Sequence, residues 1–528
     1  MRLLLMAGLG PEFMHRTAFD DTLLGDTMSP EATDAYTRMA GRPVNLGHFR
    51  VGRTNGVPLL RPGSGKALPH LPTAALRSVL DAVGTDYDVF DLVHIWQETG
   101  VEPAGDFDVV AVSTTFMWDQ ASLALVIGWI TKRYPDATLV LGGQYSNFKF
   151  GEILTNHPEV DFIVRGDAEI AFPQLLRAIE GDGLAADVPN LAVRLPDGSV
   201  TTTSIQYIDI EAHESPSFMG QHDLVPYESM RGCPFTCKFC AYPVASPKWR
   251  YKSAEKILRD WARYAEVNGA KAIRSMDSTF TVPPPRFREL MEHLPTLGMP
   301  WEAYTRANVI TSREVVEQME AAHCRYLFIG FESMSDSVLK AMSKAVSSLQ
   351  NKRAIEALRG TSIDVRGSFL VGYPGETPEE YEQTHQFIVD QYHGRFNVHF
   401  FIMQDETMPV WQDAEKYQLK VKSPWKWKHV GMNSGTAMEL RARTIQEVRW
   451  KNDAAVFDVW QSWHDRPIVP GSDVRAAHRI EKAVERLAFA WKDLGESETT
   501  SRRVQSLLSE LETLGVDTGA TSHARSPQ

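Results

Sequence analysis

The segment Arg231-Gly-Cys-Pro-Phe-Thr-Cys-Lys-Phe-Cys-Ala-Tyr-Pro243 holds three of the four cysteines of the chain. Its C-x3-C-x2-C spacing places the three thiols on one loop, unlike the dispersed cysteines of a disulfide framework. Three thiolates can bind three irons of a [4Fe–4S] cubane and leave the fourth iron open. The amino and carboxylate groups of S-adenosylmethionine (SAM) can chelate an open iron, and an electron from the cluster can then break the sulfonium C–S bond.

Two other interpretations of this loop are a zinc site and three unrelated buried thiols. Zinc normally takes four ligands, and the loop offers no fourth cysteine or histidine. Cys324, in the sequence His-Cys-Arg-Tyr-Leu-Phe, stands apart at the start of a predicted strand and is interpreted as a packed core cysteine. We therefore predict that Cys233, Cys237 and Cys240 are the metal ligands.

The residues around this loop, from 225 to 403, alternate short apolar runs with amphipathic segments. Strands are predicted at Val225–Met230, Ala272–Met276, Trp301–Tyr304, Tyr326–Phe331, Val365–Val371 and Asn397–Ile402. Helices between them favour an α/β fold in which six strands form an open, partial (β/α)6 barrel. The cysteine loop follows the first strand at its carboxyl end, where such barrels carry their chemistry.

The amino-terminal part of the chain, residues 1–184, has a similar rhythm. Strands are predicted at Arg2–Ala7, Tyr87–Leu92, Asp108–Thr115, Ala137–Leu141 and Asp161–Arg165, and helices at Leu71–Val83, Trp118–Arg133, Lys149–Asn156 and Glu169–Glu180. This pattern predicts a doubly wound, Rossmann-like parallel sheet. The stretch from Gly10 to His70 lacks clear periodicity and is interpreted as a long functional loop.

The remaining segments differ in character from these two domains. Residues 185–224 are predicted to be a small connector with strands at Asn190–Leu195 and Ser199–Thr203. Residues 404–514 are predicted to form a mostly helical domain, with helices near Glu439–Trp463, Ser472–Leu494 and Thr500–Leu514. Residues 515–528 are polar and are predicted to be a flexible tail.

Composition excludes several classes of protein. Of 528 residues, 43% are hydrophobic and 23% charged, as in a soluble protein of several domains. The net charge of −12 leaves no surplus of cations to neutralise a nucleic acid. No apolar run approaches the ~20 residues that cross a bilayer, and Met1–Gly8 is too short for a signal peptide. We therefore expect a cytoplasmic enzyme with a small-molecule substrate and with neither nucleic acid nor membrane as a partner.

The cysteine triplet, with Phe239 before its last cysteine, resembles that of the radical SAM superfamily. The resemblance implies SAM-binding roles for residues at the ends of successive barrel strands. The implied contacts are Tyr242 with the adenine through its backbone, Asp277 with the amino group, Arg306 with the carboxylate, Glu332 with the ribose or amino group, and Gly372, in Phe369-Leu-Val-Gly-Tyr-Pro-Gly-Glu-Thr377, next to the nucleoside.

The segment from Phe107 to Leu176 resembles the cobalamin-binding domain found upstream of many radical SAM enzymes. Small residues at neighbouring strand ends leave room for a bulky ligand. The implied cobalamin contacts are Gly8, Ser113, Thr114, Gly142, Gly143 and Gly166. The D-x-H-x-x-G motif that supplies an axial histidine is absent, with Gly8-Leu-Gly10 in its place, so we expect no histidine ligand to cobalt. A response-regulator-like or flavodoxin-like domain without a ligand is the alternative.

The combination of domains implies, by resemblance, a cobalamin-dependent radical methyltransferase that uses two molecules of SAM. One is cleaved to a 5′-deoxyadenosyl radical, and the other methylates the cobalamin that passes its methyl group to the substrate. The expected acceptor is an unactivated carbon, or a phosphinate phosphorus, of a small molecule in antibiotic or other natural-product biosynthesis. An external electron donor of the flavodoxin or ferredoxin type is implied, and no catalytic side chain is assigned.

Other functions remain open at this point. A cobalamin-dependent radical enzyme that rearranges, cyclises or desaturates its substrate would share these domains. A tRNA methylthiotransferase would carry three more cluster cysteines and a basic tail, and neither is present. A cobalamin sensor would leave the cysteine triplet without a purpose. Aromatic residues at Tyr392–His399 and in the loop Trp411–His429, which includes Trp425 and Trp427, are predicted either to close over the site or to pack the third domain.

Overall fold

The computed structural model describes residues 1–8 and 68–514, except 97, 118, 458–473 and 496. It also assigns short strands at Arg38–Met39, Arg42–Pro43, Arg53–Thr54 and Val57–Pro58. The predicted functional loop from Gly10 to His70 lies almost wholly outside the described residues, and the predicted tail lies outside them entirely.

The first sheet has the predicted doubly wound core. Its strands lie in the order Val200–Thr202, Leu191–Arg194, Phe162–Val164, Thr138–Gly142, Val109–Ser113, Arg2–Ala7 and Asp86–Asp91. The five strands predicted for this domain are all present and mutually parallel. Ser113 lies opposite Gly142, and Gly142 opposite Val164, so the carboxyl ends of three neighbouring strands are level.

Helices cover both faces of this sheet. They span Leu71–Val83, Val93–Trp96, Gln120–Arg133, Gln144–Asn156 and Ala168–Ile179, with a 3-10 turn at Ala185–Asp187. The helix from Gln144 begins directly after Gly143, whose φ of 99° ends the preceding strand. Its backbone is non-helical at Lys149, where the predicted helix began, so the sequence pattern identified only the half beyond this kink.

The two connector strands belong to the first sheet. Leu191–Arg194 pairs antiparallel with Phe162–Val164, and Val200–Thr202 continues the sheet as its edge. Leu191 and Ala192 are fully buried against the helices and strands of this domain. Burial of these two side chains is the reason that the hairpin extends the sheet and does not stand apart as a connector.

The second sheet is the predicted barrel with one additional strand. Barrel strands one to seven are Leu224–Tyr227, Ala272–Ser275, Trp301–Arg306, Cys324–Glu332, Asp364–Val371, Gly394–Phe400 and Ala455–Phe457, all parallel and adjacent in that order. Six strands were predicted. The residues of strand seven were predicted to be part of a helix. The helix before them instead ends at Lys451. The next residue, Asn452, uses its side chain to donate hydrogen bonds to the carbonyls of Ile388 and Tyr392.

Alternate barrel residues face two different environments. Phe331 stacks on Phe369, which packs against Phe387 of the surrounding helix Pro378–Asp390, so these side chains point outward. The residues between them point into the barrel, as the contact of Tyr304 with Phe328 shows. The outer helices are Ala254–Asn268, Pro284–Leu297, Arg313–Ala321, Asp336–Ala341, Ser348–Leu358 and Pro378–Asp390.

The last domain is mostly helical, as predicted. It contains a 3-10 turn at Pro409–Asp413, a hairpin of Lys420–Ser423 with Lys426–Lys428, and helices at Ser434–Lys451, Val474–Leu494 and Glu498–Thr513. A buried ion pair between Arg449 and Glu485, 3.1 Å apart, joins two of the helices. Among the described residues, every helix is too short or too polar to cross a membrane.

Candidate active site

The cysteine loop leaves the carboxyl end of barrel strand one. A short hairpin, Met230–Arg231 with Arg250–Tyr251, forms its base. Gly232 has a φ of 75°, and a Cβ at this position would lie 2.6 Å from the carbonyl oxygen of Lys248. Only glycine combines this backbone angle with such a close approach, so Gly232 fixes the path by which the chain enters the loop.

The three predicted metal ligands, Cys233, Cys237 and Cys240, all lie on the loop that follows this strand end. Cys237 is buried, and the backbone N–H of Cys240 donates a hydrogen bond to its carbonyl at 3.1 Å. Burial raises the pKa of the Cys240 thiol to about 11, although its hydrogen bond from the Tyr242 backbone acts in the other direction. A buried thiol of this kind becomes a thiolate when a metal replaces its proton.

The three cysteine thiols of the loop are a suitable donor set for a [4Fe–4S] cluster. In the described part of the chain, no group of three cysteine, histidine or acidic side chains converges on a point where a single ion could bind. Each thiolate ligand of a cubane binds a different iron, so such convergence is not required of them. Cys324 is completely buried at the amino end of barrel strand four, the end opposite the cysteine loop.

Arg306 and Glu332 meet next to the cysteine loop through a third residue, Lys344. Arg306 lies 3.3 Å from the sulfur of Cys237 and also donates to the carbonyl of Lys344. The ammonium of Lys344 lies 2.8 Å from the carboxylate of Glu332. Sequence reasoning missed Lys344 because it follows no strand and belongs to no motif. The predicted SAM contacts of Arg306 and Glu332 stay predictions, and the structure places both beside the cysteine loop.

Asp277 supports the start of the cysteine loop. Its carboxylate accepts hydrogen bonds from the backbone N–H groups of Ser229 and Met230 at 2.8 and 3.0 Å, and from the Ser275 hydroxyl at 2.7 Å. Because both oxygens are used by the protein, the visible role of Asp277 is to hold the chain that enters the loop. Its contact with the SAM amino group stays a prediction.

Gly372 is closely approached by protein. A Cβ at this position would overlap the indole of Trp427 and lie 3.0 Å from the Cβ of Ala437. The absence of a side chain therefore makes room for the last domain, and the contact of Gly372 with the nucleoside stays a prediction. Trp427 stacks on His429 at 5.2 Å, so this part of the aromatic loop packs the third domain. Trp425 instead leaves about half of its surface exposed and contacts Phe400.

A cavity of 370 Å³ lies between the first domain and the cysteine loop. The first domain contributes strand ends, and the second contributes residues on either side of the cysteines. Its wall includes Ser113, Thr115, Gly142, Gly143, Arg165, Gly166 and Glu169 on one side, and Arg231, Tyr242, Ala245 and Ser246 on the other. One ligand in this cavity would therefore touch both domains.

Four of the six residues predicted to contact cobalamin, Ser113, Gly142, Gly143 and Gly166, line this cavity. The other two predicted residues, Thr114 and Gly8, do not line it. Thr114 is buried, with its hydroxyl bonded to the Gly142 carbonyl, and Thr115 takes its place in the wall. Gly8 faces the carboxylate of Asp91. Side chains alternate along a strand, so Thr114 points away from the cavity that Ser113 and Thr115 line. None of the described residues that line this cavity is a histidine, and the lack of an axial histidine stays a prediction.

A buried ion network ties the first domain to the cysteine loop. Arg231, two residues before Cys233, lies 3.0 Å from Asp167, 2.5 Å from Glu169 and 3.0 Å from Glu228. Arg250 also pairs with Asp167. Although burial alone would raise it, the Arg231 guanidinium lowers the pKa of Glu169 to about 2. The network thus fixes the cavity wall and the entrance to the loop as one unit.

Comparison with known proteins identifies the domain around the cysteine loop. Residues 227–388 match the family model described as the Radical SAM superfamily. The matched range runs from the end of barrel strand one into the helix that follows strand five. This part of the chain is therefore a radical SAM domain, as its cysteine spacing predicted.

Three curated relatives are similar to about half of the chain or somewhat more. An uncharacterized methyltransferase of Pyrococcus horikoshii is 25% identical over 58% of this chain and 68% of its own length. The bacteriochlorophyllide d C-12(1)-methyltransferase of Chlorobaculum tepidum is 28% identical over 57% of this chain and 65% of its own. The anaerobic magnesium-protoporphyrin IX monomethyl ester cyclase of Cereibacter sphaeroides is 28% identical over 48% and 45%. The chain thus spans between about half and two thirds of the length of these relatives.

Two solved structures share the whole fold. The radical SAM methyltransferase TsrM from Kitasatospora setae, solved with cobalamin and a [4Fe–4S] cluster, has a TM-score of 0.58 at 13% identity and covers 97% of this chain and 99% of its own. The cobalamin-dependent radical SAM enzyme OxsB, with aqua-cobalamin and SAM bound, has a TM-score of 0.54 at 14% identity over 97% and 71%. The predicted three-part architecture is thus confirmed.

Substitution of the loop cysteines tests the cluster assignment. Replacing Cys233, Cys237 or Cys240 by alanine should abolish cluster assembly, because two thiolates leave another iron unsupported. Cys324→Ala is the matched control and should retain the cluster. Iron and sulfide analysis after anaerobic reconstitution provides the measurement. Equal loss of iron in the Cys324 variant would show that the ligand set is incomplete.

The ion network predicts a stability difference that depends on pH. Glu169→Gln should lower the free energy of unfolding at pH 7 by about 2 kcal/mol, the usual worth of a hydrogen bond between charged groups. Because the folded-state pKa of Glu169 is lowered to about 2, this stabilisation is complete above the ordinary carboxyl pKa and is lost as the pH falls towards 2. Denaturant titrations from pH 7 downward measure the difference, which should shrink with acidity.

The control is Glu102→Gln, which removes an exposed partner of Arg133 from the same domain. Exposed pairs of this kind contribute about 0–1 kcal/mol. A Glu169 variant that is no less stable than the Glu102 variant at pH 7 would mean that the network does not hold the domains together.

Proposed function

We propose that this radical SAM enzyme is a cobalamin-dependent methyltransferase that methylates an unactivated carbon, or a phosphinate phosphorus, of a small molecule. The observation that carries the proposal is the cavity shared by the first domain and the cysteine loop. A methyl carrier in this cavity would lie next to the place where the radical is generated. Proximity of this kind is the main contribution that a protein makes to a reaction between bound cofactors.

The residues around the cavity suit cobalamin. Gly166, with a φ of 66°, has open space where a Cβ would stand, and Gly142 lines the cavity at a neighbouring strand end. Carboxyl ends of parallel strands are the usual binding edge for nucleotide-like groups. In the proposed enzyme the cluster supplies the electron that cleaves SAM, and cobalamin supplies the methyl group.

The protein's own residues would bind and orient these groups. Cys233, Cys237 and Cys240 would hold the cluster, and Arg306, beside Cys237, would face the SAM carboxylate. Tyr242 begins a short helix that borders both the cysteines and the cavity. Asn147 of the first domain donates a hydrogen bond at 2.9 Å to the carbonyl of Ala245 in that helix. These contacts would hold the two cofactor sites at a fixed distance from each other and exclude water between them.

The wider setting of the reaction is also part of the proposal. A flavodoxin or ferredoxin would supply electrons from outside, and the reduced thiols suit the cytoplasm. Biosynthesis of an antibiotic or another natural product is the proposed context. Support for methyl transfer comes from the similarity to the methyltransferases of Pyrococcus horikoshii and Chlorobaculum tepidum and to TsrM.

A second candidate is a radical cyclisation without methyl transfer. It is favoured by the similarity to the anaerobic cyclase of Cereibacter sphaeroides, which is as identical to this chain as the bacteriochlorophyllide methyltransferase. The two candidates require the same domains, so they differ only in their products.

Product analysis separates the candidates. The anaerobically reconstituted protein, supplied with SAM, cobalamin, a reductant and candidate acceptors, should form 5′-deoxyadenosine, S-adenosylhomocysteine and a product heavier by one CH2. Mass spectrometry of all three measures the outcome. Formation of 5′-deoxyadenosine with an altered acceptor but without S-adenosylhomocysteine would replace the methyltransferase by the cyclising enzyme.

A cavity-filling substitution tests the cobalamin site without turnover. Gly142→Leu places a side chain at the cavity wall and should weaken hydroxocobalamin binding at least tenfold, while the iron content stays normal. The matched control is Gly151→Leu, in the helix Gln144–Asn156, where a Cβ meets open space and the residue does not line the cavity. Absorbance of cobalamin retained after gel filtration measures binding. Equal retention by both variants would place cobalamin elsewhere.

A further inference from the structure

The hairpin of the last domain concentrates positive charge in an acidic protein. From residue 416 to residue 428 the chain contains five lysines and no acidic residue, whereas the net charge of the whole chain is −12. Four of these lysines belong to the two strands of the hairpin, and all four are exposed: Lys420, Lys422, Lys426 and Lys428. A local charge opposite in sign to that of the rest of the molecule attracts an oppositely charged partner.

The arrangement of these lysines is unfavourable within the chain itself. Lys420 and Lys428 lie directly opposite each other on the two strands, and like charges in such positions repel. In the described part of the chain, none of the four hairpin lysines forms an ion pair with an acidic side chain. Asp413, shortly before the hairpin, pairs with Lys238 of the cysteine loop instead. A partner that presents carboxylates would relieve the repulsion.

The hairpin is anchored to the barrel and leaves one large aromatic side chain exposed. Trp427 is buried on its inner side, and the indole N–H donates a hydrogen bond at 2.7 Å to the carbonyl of Phe401, which follows barrel strand six. The tip is held by a hydrogen bond of 3.1 Å from the N–H of Met403 to the carbonyl of Pro424. Trp425, beside Pro424, is 52% exposed. An exposed tryptophan on an anchored turn is a suitable anchor for a protein partner.

The 3-10 turn Pro409–Asp413 connects this hairpin to the cysteine loop. The backbone N–H of Val410 donates a hydrogen bond at 3.0 Å to the carbonyl of Lys238. The ammonium group of Lys238 in turn lies 2.5 Å from the carboxylate of Asp413. The segment that leads into the hairpin is therefore bonded directly to the loop that carries the cysteines.

A packed row of aromatic rings runs from the exposed turn towards the same loop. Successive ring centres are separated by 5.7 Å from Trp425 to Phe400, 6.5 Å from Phe400 to Trp427, 5.8 Å from Trp427 to Phe401 and 5.9 Å from Phe401 to Tyr373. The Tyr373 hydroxyl donates to the carbonyl of Ala341 at 3.1 Å, and the carbonyl of the next residue, Met342, accepts the backbone N–H of Lys238 at 2.9 Å. Because electrons tunnel faster through contiguous atoms than across gaps, this packing couples the hairpin to the cysteine loop.

We propose that this hairpin, with Trp425 at its turn, is the docking surface for a small acidic electron-carrier protein that reduces the cluster. The need for such a carrier rests on the proposed function, in which the cluster supplies the electron that cleaves SAM. One electron leaves the reduced carrier, which is oxidised, and converts the [4Fe–4S] cluster from its 2+ to its 1+ state. The lysines would steer the carrier to this surface, and Trp425 would hold it there.

Titration with an acidic flavodoxin tests the docking surface. The full chain carries its cluster and cobalamin, and binding of oxidised flavodoxin is measured by anaerobic calorimetry at low ionic strength. We expect one flavodoxin per chain, with an affinity that falls as added salt screens the charges. Lys420→Glu/Lys428→Glu should weaken binding at least tenfold, and Trp425→Ala, which changes no charge, at least threefold.

The matched control is Lys132→Glu/Lys352→Glu, which reverses two exposed lysines on the helices Gln120–Arg133 and Ser348–Leu358. It changes the net charge by the same amount and should bind flavodoxin as the wild type does. The hairpin variant again has like charges opposite each other, so the hairpin itself is not stabilised or destabilised by a new pair. Iron content and the thermal midpoint establish that all variants are folded.

The rate of cluster reduction provides a second measurement. Freeze-quench electron paramagnetic resonance should show that reduced flavodoxin reduces the cluster of the hairpin variant at least tenfold more slowly than that of the wild type, whereas dithionite reduces both equally. Absence of flavodoxin binding by the wild type, equal binding by the two double variants, or an unchanged rate of reduction by flavodoxin would overturn the proposal. Binding of phosphatidylserine vesicles in place of flavodoxin would overturn it in favour of a membrane surface. Normal docking and reduction without methyl transfer would overturn only the proposed function.

Discussion

The buried pairing of Arg231 with Asp167 and Glu169 is the interaction on which the site depends. Arg231 stands at the entrance to the cysteine loop, and the two carboxylates stand at the start of a helix of the first domain. Removing one partner from a buried ion network leaves an uncompensated charge, which makes separation of the domains costly. The cavity between them can therefore keep a constant shape while its two walls come from different domains.

This ion network holds the carboxyl ends of the strands of two parallel sheets against each other. In each sheet the carboxyl ends of the strands carry the loops that are free to vary. Ser113, Gly142 and Gly166 lie at such ends in the first domain, and the cysteine loop lies at the corresponding end of barrel strand one. Two binding edges that would be separate in isolated domains thus form one continuous chamber. In this arrangement Gly142, Gly143 and Gly166 of the first domain share one cavity wall with Arg231 and Tyr242, which flank the cysteines.

Much of the fold and the cysteine site could be predicted from the sequence, because both are indicated by patterns of residues that are close together in the chain. The cysteine spacing and the strand periodicities identified the radical SAM domain and eleven parallel strands, five in the first sheet and six in the barrel. Strand seven was missed because Ala455–Phe457 is too short to show a period and is defined by its pairing with strand six. Lys344 was missed because only tertiary contacts join it to Arg306 and Glu332. The sequence motif identified Gly372 as a position of close approach, but it could not show that Trp427 is the group that approaches, because Trp427 is distant in sequence.

The residues that support the cysteine loop differ from those that line the interior of the barrel. The cysteine loop and its supports, Asp277 and Gly232, are occupied by backbone contacts that any acceptor would leave unchanged. The inward positions of barrel strands five and six make few such contacts, so their side chains can change without disturbing the cluster loop. Asn397 and His399 lie two residues apart on one strand, below the proposed SAM site, and Arg366 lies on the next strand. In the proposed enzyme, the residues that hold the cluster loop are therefore different from those inside the barrel below the proposed SAM site.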